Sequence, residues 1–201
     1  MRENRAFAVF HDLAPSEESF RDAALGGLLR RQKEIPCRFL YDAQGSALFE
    51  KICETPEYYP TRTETLILEE RAEEIAALIG SGAQLVEFGS GASHKVRSLL
   101  RAFTAPACYV AIDISRQMLK RAAQRLADVF PELPVVAVCA DYMRPLDLPA
   151  LPTAGGRRLG FFPGSNIGNF NTAEAVDFLA GCGYLVGAEG DMMVGVDLQK
   201  D

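Results

Sequence analysis

The chain has 201 residues, of which 48% are hydrophobic, and its formal net charge at pH 7 is −6. This length fits one domain, or one domain and part of another, and the apolar content is enough for a core. No predicted helix carries a basic stripe, and no apolar run approaches the roughly 20 residues that a bilayer requires. Nucleic acid and membranes are therefore not expected as partners.

The cysteines and histidines do not indicate a metal site. The five cysteines are widely spaced, and no Cys-x-x-Cys pair occurs. This pattern indicates buried thiols in a reducing compartment, so we expect a cytoplasmic protein. The two histidines, His11 and His94, have no second ligand at a spacing that suits zinc, and no metal is expected.

The first 62 residues predict a segment of helices and loops. A helix is predicted over 16–31, with Ser16 as its N-cap. Residues 57–62 are predicted to form a loop, because the residue before Pro60 is disfavoured in a helix. We expect the segment 1–62 to form a lid over a site.

The next segment predicts the clearest helix, over 63–80, with Thr63 as its cap. Four apolar residues form one stripe along it: Leu68, Ala72, Ile75 and Ile79. A partner for this stripe is hard to find in the sheet that follows. We therefore expect residues 63–82 to belong to a mostly absent substrate domain, and self-association through this helix is possible.

From residue 83 onwards, apolar strands alternate with helices. The predicted strands are 84–88, 108–112, 134–139, 158–162 and 191–197. The predicted helices between them are 95–104, 116–130 and 172–183. Such a pattern predicts an α/β domain over 83–201, in which a parallel sheet of order 3-2-1-4-5 is covered on both faces. The chain stops shortly after the fifth strand, and we expect the fold to be truncated there.

The turn after the first of these strands predicts a nucleoside cofactor. Gly89 and Gly91 can take positive φ angles and let a ligand approach the backbone closely. Asp113 ends the next strand, where doubly wound sheets place a carboxylate that holds ribose hydroxyls. The fold is therefore expected to be Rossmann-like.

The glycine spacing favours one cofactor over another. A dinucleotide site has a third glycine, where this chain has His94, so a nicotinamide cofactor is disfavoured. The pattern Glu87-x-Gly89-x-Gly91 instead matches the first motif of class I methyltransferases, which bind S-adenosylmethionine. In that interpretation the backbone of residues 89–91, including Ser90, passes beside the methionine part of the cofactor. Asp141 and Tyr142 follow the third strand, where the adenine would be read.

Several segments are more specific than the fold. They are Phe39-Leu40-Tyr41-Asp42-Ala43-Gln44-Gly45-Ser46, Pro56-Glu57-Tyr58-Tyr59-Pro60-Thr61-Arg62-Thr63-Glu64, Glu87-Phe88-Gly89-Ser90-Gly91, Gly164-Ser165-Asn166-Ile167-Gly168-Asn169 and Val196-Asp197-Leu198-Gln199-Lys200-Asp201. In this order, from about residue 36 to 201, the chain resembles the histidine-specific methyltransferases of ergothioneine biosynthesis.

The resemblance implies an enzyme that uses S-adenosylmethionine to methylate the α-amine of free L-histidine three times, giving hercynine. It implies cofactor contacts by Gly89, Lys95, Asp113, Asp141 and Tyr142. It implies histidine contacts by Tyr58, Gly164 and Asn169, with Tyr41 near the amine. In that family the imidazole is read by a later part of the sequence that has no counterpart here.

The residues suggest how such chemistry would work. The amine must lose a proton before it attacks, and the phenols of Tyr41 and Tyr58 are candidates to accept that proton or to orient the amine. Lys95 opens a helix, where a cation is mildly unfavourable, and a cofactor carboxylate would explain its position. Two alternatives remain: a cofactor-binding fragment without activity and, with less support, an NAD-dependent oxidoreductase.

Overall fold

The fold is described from a computed structural model, which covers residues 8–15, 19–40, 42–91, 95–152 and 156–199. Two residues of the sequence argument, Tyr41 and His94, lie outside the described residues, as does the predicted N-cap Ser16.

The described residues form a sheet with helices on both of its faces. The strands are β1 (Val9–Asp12), β2 (Gln84–Phe88), β3 (Cys108–Asp113), β4 (Val135–Cys139), β5 (Arg158–Phe162) and β6 (Asp191–Val194). The α-helices are α1 (Phe20–Leu28), α2 (Ala43–Cys53), α3 (Pro60–Ile79), α4 (Val96–Ala102), α5 (Arg116–Val129) and α6 (Thr172–Val186). Two short 3-10 helices span Cys37–Leu40 and Asn166–Asn169.

The sheet is parallel throughout and has the strand order β1-β4-β3-β2-β5-β6. Strands β2 to β6 correspond to the five predicted strands, and they lie in the predicted order, so the Rossmann-like α/β class is confirmed. Strand β1 was not predicted, and it adds a sixth strand beside β4. Phe10 pairs with Ala137 there, and Arg116 holds the end of β1 through an ion pair with Asp12 at 2.8 Å.

Each face of the sheet has its own apolar core. On one face the core includes Leu85, Tyr109 and Leu126, and α3, α4 and α5 contribute to it. On the other face Val110, Phe162 and Phe178 pack together, the last from α6. Strands β2 and β4 are buried along their whole length, which explains why they read as continuous apolar runs.

The expectation that the stripe on the helix over 63–80 lacks a partner is wrong. Helix α3 packs against α4, and Leu68 and Ala72 are 4% and 6% exposed. Ile75 and Ile79 pack on the same core cluster. The large apolar residues exposed on α3 are Leu66, Ile67 and Leu78. Self-association through α3 stays a prediction, but the stripe that motivated it is covered.

Local boundaries differ from the expected ones for simple reasons. Ser19 caps α1 by accepting from the Asp22 N–H. Helix α3 begins at Pro60 rather than Thr63, because proline suits the first helical position and Tyr59 takes a helical conformation before it. Strand β6 ends at Val194, short of the expected residue 197. None of the helices in the described ranges is both long and apolar enough to cross a bilayer.

Candidate functional site

The turn after β2 is open to a ligand. Gly89 and Gly91 have φ angles of +71° and +46°, as the glycine spacing predicts. The Gly89 N–H donates to the Ile112 carbonyl at 2.9 Å, which ties the turn to the end of β3. Apart from its chain neighbours, the nearest described atom to a Cβ on Gly91 would lie 4.0 Å away, so none of the other described residues crowds this backbone.

Asp113 closes this turn from the end of β3. Its Oδ2 accepts from the Gly91 N–H at 3.0 Å, and its Oδ1 accepts from the Ser115 N–H at 2.8 Å. Burial raises the pKa of Asp113, and backbone donors, including these two, partly oppose that rise. Each carboxylate oxygen has a second lone pair, so Asp113 can still accept from a pair of hydroxyl groups.

Asp141 and Tyr142 follow β4 and lie at the same edge of the sheet. Asp141 accepts from the Met143 N–H at 3.0 Å, which shapes a tight turn. The Tyr142 ring packs edge-on against Phe162 and Phe178, with centroids 5.8 and 5.6 Å away. A Cβ on Gly89 would lie 3.6 Å from this ring, so Tyr142 also faces the glycine turn.

Glu87 lies inside strand β2, directly before the turn. Its side chain is buried, and the Tyr109 hydroxyl donates to its Oε2. Burial raises the pKa of Glu87 to about 8, although the Tyr109 hydrogen bond and the charge of Lys95 oppose this rise. Glu87 therefore holds a proton at neutral pH, and it adds no full negative charge beneath the turn.

The Lys95 side chain already has a charged partner within the protein. Its ammonium forms an ion pair with Glu64 of α3. Glu64 also accepts from the Gly164 N–H, at 2.9 Å to Oε1 and 3.0 Å to Oε2. The carboxylate beside Lys95 in the structure is that of Glu64 on α3, and the cofactor contact of Lys95 stays a prediction. This contact also connects the start of α4 to the loop after β5.

A cavity of about 320 Å³ opens between that loop and the start of α3. This volume is at the lower end of the range for small-molecule pockets, roughly 300 to 1,000 Å³. Its lining residues are Phe49, Glu57, Tyr58, Tyr59, Pro60, Gly164, Ser165, Asn166, Asn169 and Asp197. The three residues predicted to contact the substrate, Tyr58, Gly164 and Asn169, therefore lie around a single cavity.

Some residues of this region were not predicted. The Phe49 ring of α2 meets Tyr58 edge-on, with centroids 5.7 Å apart. The Tyr59 hydroxyl donates to Asp197 at 2.6 Å, beside the cavity. Glu64 and Asp197 both belong to the specific segments quoted above, so the signal was present, but no physical role distinguished them from their neighbours.

The arrangement fits a nucleoside cofactor. A turn with glycines at positions 89 and 91, the Asp113 carboxylate and the Tyr142 ring follow three adjacent strands, and Asp141 adds a second carboxylate. Among the described residues, no group of histidine, cysteine or acidic side chains is arranged to hold a metal ion.

Comparison with known proteins identifies the family. Residues 20–201 match the model of the histidine-specific, S-adenosylmethionine-dependent methyltransferases. The chain belongs to this family. The cofactor named for the family is S-adenosylmethionine, in agreement with the glycine motif.

Individual relatives agree with this family assignment. It is 37% identical over 187 residues to the histidine N-alpha-methyltransferase of Mycolicibacterium smegmatis, covering 92% of this chain and 57% of that protein. It is 34% identical over 173 residues to ergothioneine biosynthesis protein 1 of Neurospora crassa, covering 84% of this chain and 20% of that protein. The chain thus spans little more than half the length of the first relative.

A solved structure supports the fold of this family member. A protein from Methanococcus maripaludis, described as a candidate S-adenosyl-L-methionine-dependent methyltransferase, superimposes with a TM-score of 0.52. The match covers 77% of this chain and 64% of that one at 20% identity, and it therefore bears on the fold alone.

Proposed function

We propose that this chain is the cofactor-binding and amine-binding part of an N-methyltransferase that converts L-histidine to hercynine. Family membership supports the reaction class. One observation carries the proposal for these residues. Glu64 joins Lys95, which follows the glycine turn, to Gly164, which lines the cavity. A methyl donor and an amine acceptor bound at these two places would be neighbours.

The cofactor side of the proposal uses the strand ends. S-adenosylmethionine supplies a methyl group bonded to a sulfonium sulfur, and this sulfur is the leaving group when the methyl group is transferred. The backbone of Gly89, Ser90 and Gly91 would run beside its amino-acid part, and Asp113 would accept from its ribose hydroxyls. The adenine would lie near Asp141 and Tyr142. Lys95 would contribute its charge while remaining paired with Glu64.

The substrate side uses the cavity. The Asn169 side chain has both a donor and an acceptor, which suits the carboxylate and amine of an amino acid. Tyr58 and Gly164 line the same cavity, and the Tyr58 phenol is the candidate to orient the amine or take its proton. Tyr41 is proposed to lie near the same amine. The acidic cavity residues Glu57 and Asp197 favour a ligand that carries an ammonium group, as the α-amine of a free amino acid does before it loses its proton.

The domain assignment also stays a proposal. Within residues 1–62, β1 pairs with β4 in the sheet, and the rest of the segment would form the lid, since Phe49, Tyr58 and Tyr59 line the cavity. Residues 63–82 would lead to a substrate domain, although α3 itself packs on the sheet domain. Residues 83–201 would hold the cofactor. We further propose a cytoplasmic enzyme, because the cysteines at 37, 53, 108, 139 and 182 are all free thiols.

Two measurements test the proposal. Titration calorimetry with S-adenosylhomocysteine should show saturable binding, whereas NAD should show none. Incubation of the chain with S-adenosylmethionine and histidine should then yield mono-, di- and trimethylated histidine by mass spectrometry. Binding of NAD but not of S-adenosylhomocysteine would contradict the cofactor assignment.

A second candidate follows from the coverage of the relatives. Because the chain spans 57% of the length of the Mycolicibacterium protein, it could bind the cofactor without turnover. Tight binding of S-adenosylhomocysteine with no methylated histidine would support this cofactor-binding piece. Methylated histidine formed by the isolated chain would exclude it.

A further inference from the structure

Glu64 lies in the first turns of α3 and contacts two other segments of the protein. Its carboxylate pairs with Lys95 at the start of α4 and accepts from the backbone N–H of Gly164 after β5. The side chains of Glu64 and Lys95 are 17% and 19% exposed, so the ion pair is largely shielded from water. Shielding increases the attraction between the two charges but also costs their hydration, so the loss of one partner leaves the other without compensation and is costly.

The loop after β6 is also fitted to this carboxylate. A Cβ on Gly195 would lie 1.8 Å from Oε1 of Glu64 and 3.2 Å from the Gly164 nitrogen. The Gly195 N–H donates to the Phe162 carbonyl at 2.9 Å, which fixes its backbone at the end of β5. Any side chain at position 195 would therefore clash with Glu64 in its observed position.

These contacts join the two parts of the proposed site. Lys95 follows the glycine turn, whereas Gly164 lines the cavity together with Tyr58. Tyr58 lies two residues before the start of α3, so the helix that carries Glu64 also positions one wall of the cavity. A shift of Glu64 would move groups on both sides at once.

We propose that Glu64 is a positioning residue that holds the cofactor side and the amine side of the site in register. This inference rests on the proposed function. Glu64 acts through Lys95 and Gly164 and needs no contact with either ligand. Its removal leaves a shielded ammonium without its carboxylate and a backbone N–H without its acceptor, so both segments can move.

The first test compares Glu64→Ala with the matched control Glu70→Ala, which changes an exposed carboxylate on the same helix. Calorimetry measures the Kd of S-adenosylhomocysteine, and then the Kd of histidine with S-adenosylhomocysteine saturating. We expect Glu64→Ala to weaken both ligands, each by about tenfold, as the loss of a charge-assisted hydrogen bond does. Glu70→Ala should change neither.

Two further variants separate positioning from general stability. In Glu64→Gln the side-chain carbonyl can still accept from Gly164, but the charge opposite Lys95 is gone. Histidine affinity should therefore return to near the wild-type value, while S-adenosylhomocysteine stays weaker. Gly195→Ala keeps the Glu64 side chain but places a methyl group where the Glu64 carboxylate lies. It should therefore weaken the binding of both ligands, as Glu64→Ala does.

Several results would overturn the inference. One is a folded Glu64→Ala chain with unchanged affinity for both ligands. Another is Glu64→Gln with tighter binding of S-adenosylhomocysteine, because Glu64 would then compete with the cofactor for Lys95. Failure of the wild-type chain to bind S-adenosylhomocysteine would contradict the proposed function instead. The Gly164 amide resonance in a ¹H–¹⁵N spectrum would still report on Glu64, since it should shift in Glu64→Ala, and an unchanged resonance would refute the contact.

Discussion

The backbone N–H of Gly91 donates to Oδ2 of Asp113 across 22 residues of sequence, at 3.0 Å. The carboxylate that is proposed to hold the ribose therefore also shapes the turn that is proposed to pass beside the methionine part. A substitution at Asp113 should therefore change both the binding of the cofactor and the conformation of the turn.

Asp113→Asn should weaken S-adenosylhomocysteine by roughly tenfold or more, because the amide loses one acceptor oxygen and the negative charge. The same change should lower the free energy of unfolding by about 1 kcal/mol, through the lost bond to Gly91 or Ser115. Calorimetry and urea unfolding measure the two effects. Asp177→Asn, on an exposed position of α6, is the control, and equal affinity in both variants would contradict the ribose role.

Glu87 predicts a pH dependence of stability. Its pKa is about 8 in the folded protein and ordinarily 4.5. Between these values the folded state keeps the proton and the unfolded state releases it, so stability falls as pH rises through this window. The slope is about 1 kcal/mol per pH unit. Urea unfolding from pH 5 to 8 should show this fall in the wild type but not in Glu87→Gln, and parallel curves would contradict it.

Asn169 should contribute to the binding of histidine but not to the binding of S-adenosylhomocysteine. Asn169→Ala removes a donor and an acceptor from the cavity wall, but it leaves the strand ends at β2 and β3 untouched. We expect histidine affinity to fall by about tenfold while the Kd of S-adenosylhomocysteine stays within about twofold of the wild type. Asn171→Ala would be a poor control, because Asn171 caps α6. Val176→Ala, at an exposed position of α6, is a better control. A drop in the affinity of Asn169→Ala for S-adenosylhomocysteine would contradict the prediction that Asn169 serves the histidine site alone.

The packing of α3 predicts a contrast between two leucines on one helix. Leu68 is 4% exposed and Leu66 is 53% exposed. Leu68→Ala should lower the free energy of unfolding by about 2 to 5 kcal/mol. Leu66→Ala should change it by only about 0.5 kcal/mol. Thermal or urea unfolding measures both, and similar losses would mean that α3 does not dock on the sheet domain as described.

The strand order could be predicted because each of the five strands is an apolar run and is separated from the next by a helix or a long connection. Strand β1 could not, since its four residues include His11 and Asp12 and its pairing depends on the open edge of β4. The partner of the α3 stripe was missed for a similar reason. Helix α4 has only seven residues, and its packing on α3 depends on tertiary position.

The site residues likewise fall into those that the sequence could predict and those that it could not. Strand ends meet at one edge of a parallel sheet, so the turn at Gly89 and the carboxylate of Asp113 could be placed by counting. The cavity residues Tyr58 and Asn169 came from family resemblance, because they lie on loops whose path no periodicity describes. Glu64 and Glu87 were missed as interacting groups, since their partners depend on burial that the sequence does not reveal.

Strand β1 also matters for the handling of the protein. Val9–Asp12 hydrogen-bonds along β4, and Leu13 continues this pairing through its N–H to the Cys139 carbonyl at 3.0 Å. Trimming the first 13 residues would leave the β4 backbone unpaired along an apolar edge, and such edges recruit strands from other molecules. Affinity tags and crystallisation variants should therefore keep these residues, because an aggregating preparation would conceal every ligand measurement described above.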